Sequence, residues 1–251
     1  MKRKFGLILV MFMLIFALSS CDGSLDRQLD ASGDRYFTTT KSKAEMINES
    51  QNISKKKVKE LLKVQVDVHW SLLQSTFNFG NKDQACAFLM GMATRESTLQ
   101  GGLETSGSQV ETGFNPSHAF GALQAAEPAY VNDKGYTPEK DVPEMTQYKL
   151  ENKNFYDPGV AIHMGIRHLV HFALAAKKIN KNGNDLLRYS LIGYNKGHVD
   201  EPVSDNWMKE YADEIGALAG WYLKEKHLTD DIFTWTGDPR VDRSNPWGWY
   251  K

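Results

Sequence analysis

Glu96 stands where the apolar pattern of its own segment calls for another Leu or Met. In 85-ACAFLMGMATRESTLQGG-102, Ala85, Phe88, Leu89 and Met92 recur at i, i+3, i+4 and i+7, the spacing of one helix face. One more turn along that face reaches Glu96. A carboxylate on the apolar side of a helix end has two reasons for a raised pKa, burial and the negative end of the helix dipole. A carboxylic acid still protonated near neutral pH can act as a general acid. The competing reading is structural: an ion pair with Arg95 or a distant Lys, or exposure to water, would also account for a carboxylate here.

Three downstream segments carry further candidates: GFNPSHAFGALQ, DPGVAIHMGIRHL and DLLRYSLIGYNKG. The Gly121-Ala122-Leu123-Gln124 turn lets backbone approach a ligand closely. The Gln124 amide both donates and accepts, and Tyr194 offers a flat apolar face with a polar tip. Structural roles compete here too, Gln124 as a cap of the Glu127-Pro128 turn and Tyr194 as core. Taken in order with Arg95-Glu96-Ser97, these segments resemble the lysozyme-like domain of the soluble lytic transglycosylases and goose-type lysozymes, over roughly residues 83–197. The resemblance implies Glu96 as general acid, Ser97 as the serine that positions it, Gln124 as a cleft glutamine, and Tyr194 and Asn195 as cleft-lining residues. It implies cleavage of the MurNAc-GlcNAc β-1,4 bond of peptidoglycan. Two departures stand out. Thr98 to Gly113 separate Glu-Ser from Asn115-Pro116, which is closer to the goose-type arrangement, and Lys196 stands where a small residue is usual.

Glycosidases commonly use two carboxyl groups, one for the leaving oxygen and one for the opposite side. The resemblance to lytic transglycosylases implies that one suffices: the glutamate protonates the glycosidic oxygen, then deprotonates the sugar's C6 hydroxyl, leaving a 1,6-anhydro end. The loop after Glu96 offers Glu111 and Glu104 as second carboxylates, with Glu127 beyond the turn; each also reads as solvated loop charge. The expectation is a transglycosylase relying on Glu96. The alternatives are a hydrolytic muramidase using Glu111, or a non-catalytic peptidoglycan-binding protein. No metal and no cofactor are expected: His163, His168 and His171 share a helix but lack an H-E-x-x-H spacing or a convincing acid partner.

These groups need a scaffold. The chain has 251 residues, 41% hydrophobic and 24% charged, with net charge -1, so electrostatic capture of nucleic acid is not expected. MKRK followed by GLILVMFMLIFAL reads as a secretory signal peptide over 1–20. Leu18-Ser19-Ser20-Cys21 resembles the lipobox of bacterial lipoproteins, implying a lipid anchor at Cys21 and a place in the cell envelope facing the wall, periplasmic in a Gram-negative cell. Residues 21–53 read as a flexible tether and 54–251 as one monomeric catalytic domain. Within it, Ser54, Asn81 or Asp83, Asp157-Pro158, Asn184 or Asp185, and Ser204 mark helix starts. Cys86 reads as a small core residue. Trp235, Trp247 and Trp249 read as a tail packed on the domain, with a sugar-stacking lid as the alternative. The expected fold is mostly α, a lysozyme-like single domain with an irregular central segment that has room for a short β element.

Overall fold

A computed structural model describes residues 41–100, 119–126, 156–199 and 206–250, all within one unit, 39–251. The expected mostly helical fold is present, with seven helices among the described residues. Cys21 and the segment up to residue 40 lie outside them. The part of the expected tether that is described is not a tether: Lys43–Asn52 is a helix, α1. Its start is a capping box, in which Ser42 N–H donates to Glu45 (2.7 Å) and Glu45 N–H donates back to the Ser42 hydroxyl (3.3 Å), satisfying donors that a helix start leaves open. Met46 and Ser50 are buried, and the Ser50 hydroxyl donates to the Tyr156 carbonyl at 2.6 Å.

Ser54 caps α2, Lys55–Val68, as its position suggests. The run through Trp70 and Leu73 is a separate helix, α3, Trp70–Phe77, because the chain turns at His69. His69 is buried against His163 with ring nitrogens 2.7 Å apart, and burial lowers the pKa of both, which keeps them neutral packing groups. Lys59 is buried as well. Its ammonium donates to the carbonyls of His227, Asp230 and Ile232 and so closes the turn after the last helix.

The centre is α4, Lys82–Ser97, capped by Asn81, whose side chain accepts from Gln84 N–H at 3.0 Å. Every residue from Ala85 to Thr94 is buried. A helix buried all round is surrounded by other elements rather than laid on a surface. It packs most extensively on α7, Asn206–Lys224. A Cβ at Gly91 would lie 2.7 Å from the Ile215 carbonyl and 2.9 Å from Ala219 N, so that glycine sets how closely the two helices approach. Among the described residues between them in sequence are a minimal antiparallel pair, β1 Ala119–Phe120 and β2 Ala125–Ala126, with Ala119 opposite Ala126, and two helices. α5, Pro158–Lys178, starts at Asp157, which accepts from Gly159 N–H at 2.9 Å and Val160 N–H at 3.2 Å. α6, Gly183–Lys196, follows. The tail packs rather than forming a lid. Trp247 Nε1 donates to Asp213 (2.6 Å) and Trp249 Nε1 to the Gly216 carbonyl (2.8 Å), while Trp235 stays half-exposed.

Gly91→Ala is expected to cost about 2 kcal/mol, since backbone on α7 must move to admit the methyl. For a domain of this size that lowers Tm by about 6 °C, and thermal unfolding followed by circular dichroism measures it.

Candidate active site

Glu96 occupies the last turn of α4, where the buried helix reaches the surface. The helix stops immediately after it. Thr98 and Leu99 both take left-handed backbone (φ 56° and 57°), and Leu99 N–H returns to the Ala93 carbonyl six residues back, at 3.1 Å, a Schellman-type closure. Glycine usually fills such positions; here the fully buried Leu99 side chain anchors the turn, offsetting about 1 kcal/mol of strain per residue. The helix therefore ends without using the Gly101-Gly102 pair that follows in sequence.

Glu96 is only partly exposed. Burial pushes its pKa up to about 7, against opposing contributions from Tyr211 and Arg95. The Tyr211 hydroxyl donates to Glu96 Oε1. Tyr211 is itself buried, and the Arg95 guanidinium lies 5.3 Å from its ring centroid. Among the described residues, none of the groups that shift Glu96 is a second carboxylate. Near neutral pH the site thus holds an acid close to half-protonation, oriented by one phenol.

The Gly-Ala-Leu-Gln turn is fastened by the residues expected to meet sugar. The Gln124 amide donates to the Gly121 carbonyl (2.9 Å), the Ser97 hydroxyl to the Ala122 carbonyl (2.8 Å) and the Tyr194 hydroxyl to the Leu123 carbonyl (2.7 Å). Three consecutive carbonyls are each held by one side chain. Ser97 ties the turn to the end of α4, directly beside Glu96, and Tyr194 ties it to α6. Gly121 has φ 70°, and a Cβ there would lie 2.3 Å from the Ala161 side chain, so no other residue fits. Tyr194 is buried rather than lining an open cleft, and Asn195, next along α6, is exposed. The loop acids Glu104 and Glu111, with Glu127 and Asn115, lie outside the described residues. His163 and His168 are buried on α5. Among the described residues no three His, Cys, Asp or Glu side chains gather into a cation site.

Tyr211 escapes the sequence reading as a functional group. With Trp207, Ile215, Leu218 and Tyr222 it follows a helical spacing that signals core, and only the packing of α7 on α4 aims its hydroxyl at Glu96.

The comparisons make the chain a glycan-cleaving enzyme, a glycoside hydrolase. It belongs to the family of the Cel124 C-terminal catalytic domain, whose model matches residues 53–223. A GH124 cellulase from Ruminiclostridium thermocellum, in complex with Mn and fructosylated cellopentaose, is 47% identical over 84% of this chain and 97% of its own, with a TM-score of 0.72. CtCel124, a cellulase from Clostridium thermocellum, is 47% identical over 86% of this chain and 99% of its own, with a TM-score of 0.73. No curated protein matches. These findings overturn the assignment to lytic transglycosylases and goose-type lysozymes. They overturn peptidoglycan as the substrate partner as well, and with it the transglycosylase, muramidase and wall-binding readings. The lipid anchor expected at Cys21 finds no support in them. The physical reason for the error lies in the motifs themselves. An acid ending a core helix and a turn fastened beside it describe how a proton donor is mounted, not which sugar it meets.

A Glu whose folded pKa of about 7 exceeds its ordinary 4.5 leaves the folded state holding more protons between those values. Stability from this group is therefore lost as pH rises through that window. Glu96→Gln is expected to match the native protein at pH 4 and to exceed it at pH 8 by about 2 to 3 kcal/mol, read by urea unfolding at both pH values. Tyr211→Phe removes a donor that favours the carboxylate. It is expected to move the basic limb of the activity–pH profile upward by about one unit.

Proposed function

We propose that this enzyme hydrolyses the β-1,4 bonds of cellulose chains, with Glu96 as the proton donor. In the hydrolysis, Glu96 gives its proton to the glycosidic oxygen as the bond from that oxygen to C1 breaks. Water supplies the hydroxyl that C1 gains; the proton that the water releases passes to solvent, and Glu96 takes a proton back from solvent before the next turnover. The buried position of Glu96 supports the first step: a carboxyl with a pKa near 7 holds its proton under mild conditions and is a strong enough acid to release it. The Tyr211 hydroxyl bonds to one carboxylate oxygen and steadies the charge that appears once the proton has left. The Ser97 and Tyr194 contacts keep the adjoining turn in place, so the acid meets the substrate at a fixed edge.

The observation that carries the choice of substrate is the 47% identity to two cellulases over nearly their whole length. One of these was captured with a cellopentaose derivative. Relatives this similar share a cleft shape more readily than proteins that share only a helix end and a turn.

Incubation with cellopentaose, with products resolved by chromatography, tests the proposal. Shorter cello-oligosaccharides with free reducing ends are expected. Glu96→Gln is expected to lower kcat by about a thousandfold, within the range that general-acid catalysis supplies. An intact pentasaccharide after prolonged incubation with the native enzyme would overturn the assignment, and so would equal rates for native and Glu96→Gln proteins.

A further inference from the structure

The far half of α7 carries groups that the site around Glu96 does not use. Ala217, Gly220, Trp221 and Lys224 recur at i, i+3, i+4 and i+7, on a different face from Tyr211, Ile215, Leu218 and Tyr222. Lys224 lies about 20 Å along the helix axis from Tyr211. Together with Asp242, Asn245 and Trp249 of the tail, this face lines a cavity of about 270 Å³, near the lower end of small-molecule sites at about 300 Å³. One wall is fixed. Trp249 Nε1 donates to the carbonyls of Gly216 (2.8 Å) and Pro246 (3.1 Å). The partly exposed indole lies against Gly220, where a Cβ would stand 3.0 Å from its Cδ1.

The rim is polar and balanced in charge. Lys224 and Arg240 are basic, Glu225 and Asp242 acidic, and Asn245 adds a neutral amide. Among the described residues, the exposed Asn245 side chain bonds to no other group. An anion would meet the two carboxylates and a cation the two bases. A protein partner covers about 800 Å² with a largely apolar centre, whereas the centre here is a hollow ringed by charges. A pyranose fits both parts: its hydroxyls donate and accept round the edge, and its C–H face suits an indole. The aromatic surface also continues outward. The Arg240 guanidinium, held by the buried Asp238 at 2.6 Å, lies 5.5 Å from the Trp221 ring centroid and 5.4 Å from that of Trp235. Trp235 is 48% exposed, so a chain of sugars finds apolar surface both in the cavity and beyond it.

We infer that this cavity is a second glucan-binding site, separate from Glu96, with Trp249 as its stacking wall and Asn245 and Lys224 as partners of the sugar hydroxyls. The choice of a β-1,4-glucan as its ligand rests on the function proposed above. A sugar held here is too far from Glu96 to be cut. The site instead keeps the enzyme on an insoluble chain, which raises the effective concentration of bonds at the acid. Walls already fixed in the free protein lose little freedom on binding.

The test follows the nitrogen-15 NMR signal of the Trp249 indole, assigned by its absence from Trp249→Phe, as cellopentaose is added to the Glu96→Gln protein. The signal is expected to shift and saturate. Asn245→Ala combined with Lys224→Ala, both at exposed positions, should raise the midpoint about tenfold through the loss of two hydrogen-bonding groups. In the active enzyme the same pair should leave kcat/KM on cellopentaose unchanged and lower the fraction retained on insoluble cellulose. A Trp249 signal that stays still while the native enzyme cleaves cellopentaose would overturn the second site and leave the glucanase reading standing. An unchanged midpoint in the double variant would overturn it too, since the shift would then be transmitted from Glu96. A fall in kcat/KM would do the same, because these residues would then belong to the catalytic site. A raised midpoint with unchanged retention would overturn the tethering role. If the native enzyme leaves cellopentaose intact while Trp249 responds through Asn245 and Lys224, the cavity stands and the catalytic assignment falls. No cleavage and no response at Trp249 would remove both.

Discussion

A carboxyl group sits at the end of a helix that is buried on every side, and the site follows from the cost of keeping it charged there. The residues of α4 from Ala85 to Thr94 are enclosed, so the chain delivers Glu96 to the surface from the inside of the domain rather than along its rim. Burial penalises the ionised form, and the pKa rises to about 7. Tyr211 and Arg95 pull the other way. The balance leaves an acid that both holds and releases its proton near neutrality. A fully exposed carboxylate would have lost its proton well below that pH, and one with no opening could not reach a sugar.

The rest of the described architecture serves to hold that end still. Gly91 allows α7 to approach α4 closely enough for Tyr211 to reach Glu96. The helix stop at Thr98 and Leu99, two left-handed residues secured by a buried Leu side chain, turns the chain away immediately after the acid. Ser97, Gln124 and Tyr194 each satisfy one carbonyl of the turn alongside. Losing the Ser97 or Tyr194 contact would leave a buried carbonyl short of that partner, which costs more than the bond itself contributes, whereas the Gly121 carbonyl keeps the Gln124 N–H at 3.0 Å. The polar side chains nearest the acid are thus largely committed to the frame.

How far the fold and site could be read from residues alone depended on the range of the interaction. Most local signals were sound: Ser54, Asn81 and Asp157 each cap the helix they precede, and Cys86 is a core residue, but the helix start expected at Asn184 or Asp185 comes earlier, with Asn182 as N-cap. The Glu96 anomaly was visible because a single carboxylate interrupts an apolar face. Signals that depend on distant partners were lost. The break at His69 comes with its contact to His163, 94 residues away, and Tyr211 looked like one more core aromatic. The helix at 43–52 was missed because its weak apolar pattern hid a complete capping box. The substrate was misread for a further reason: the ordered motifs encode the mounting of a proton donor, a problem that enzymes cutting different glycans share. What sets the peptidoglycan reading aside is the family match and the 47% identity to two cellulases.

The most direct measurement is a carbon-13 NMR titration of the Glu side-chain carboxyls, with the Glu96 signal assigned by its absence from the Glu96→Gln spectrum. One carboxyl carbon should titrate with a midpoint near pH 7, well apart from the others, and vanish in the variant. A Glu96 signal that titrates near 4.5, together with the solvated glutamates, would contradict the claim that burial at the helix end keeps this group protonated for transfer to a glycosidic oxygen.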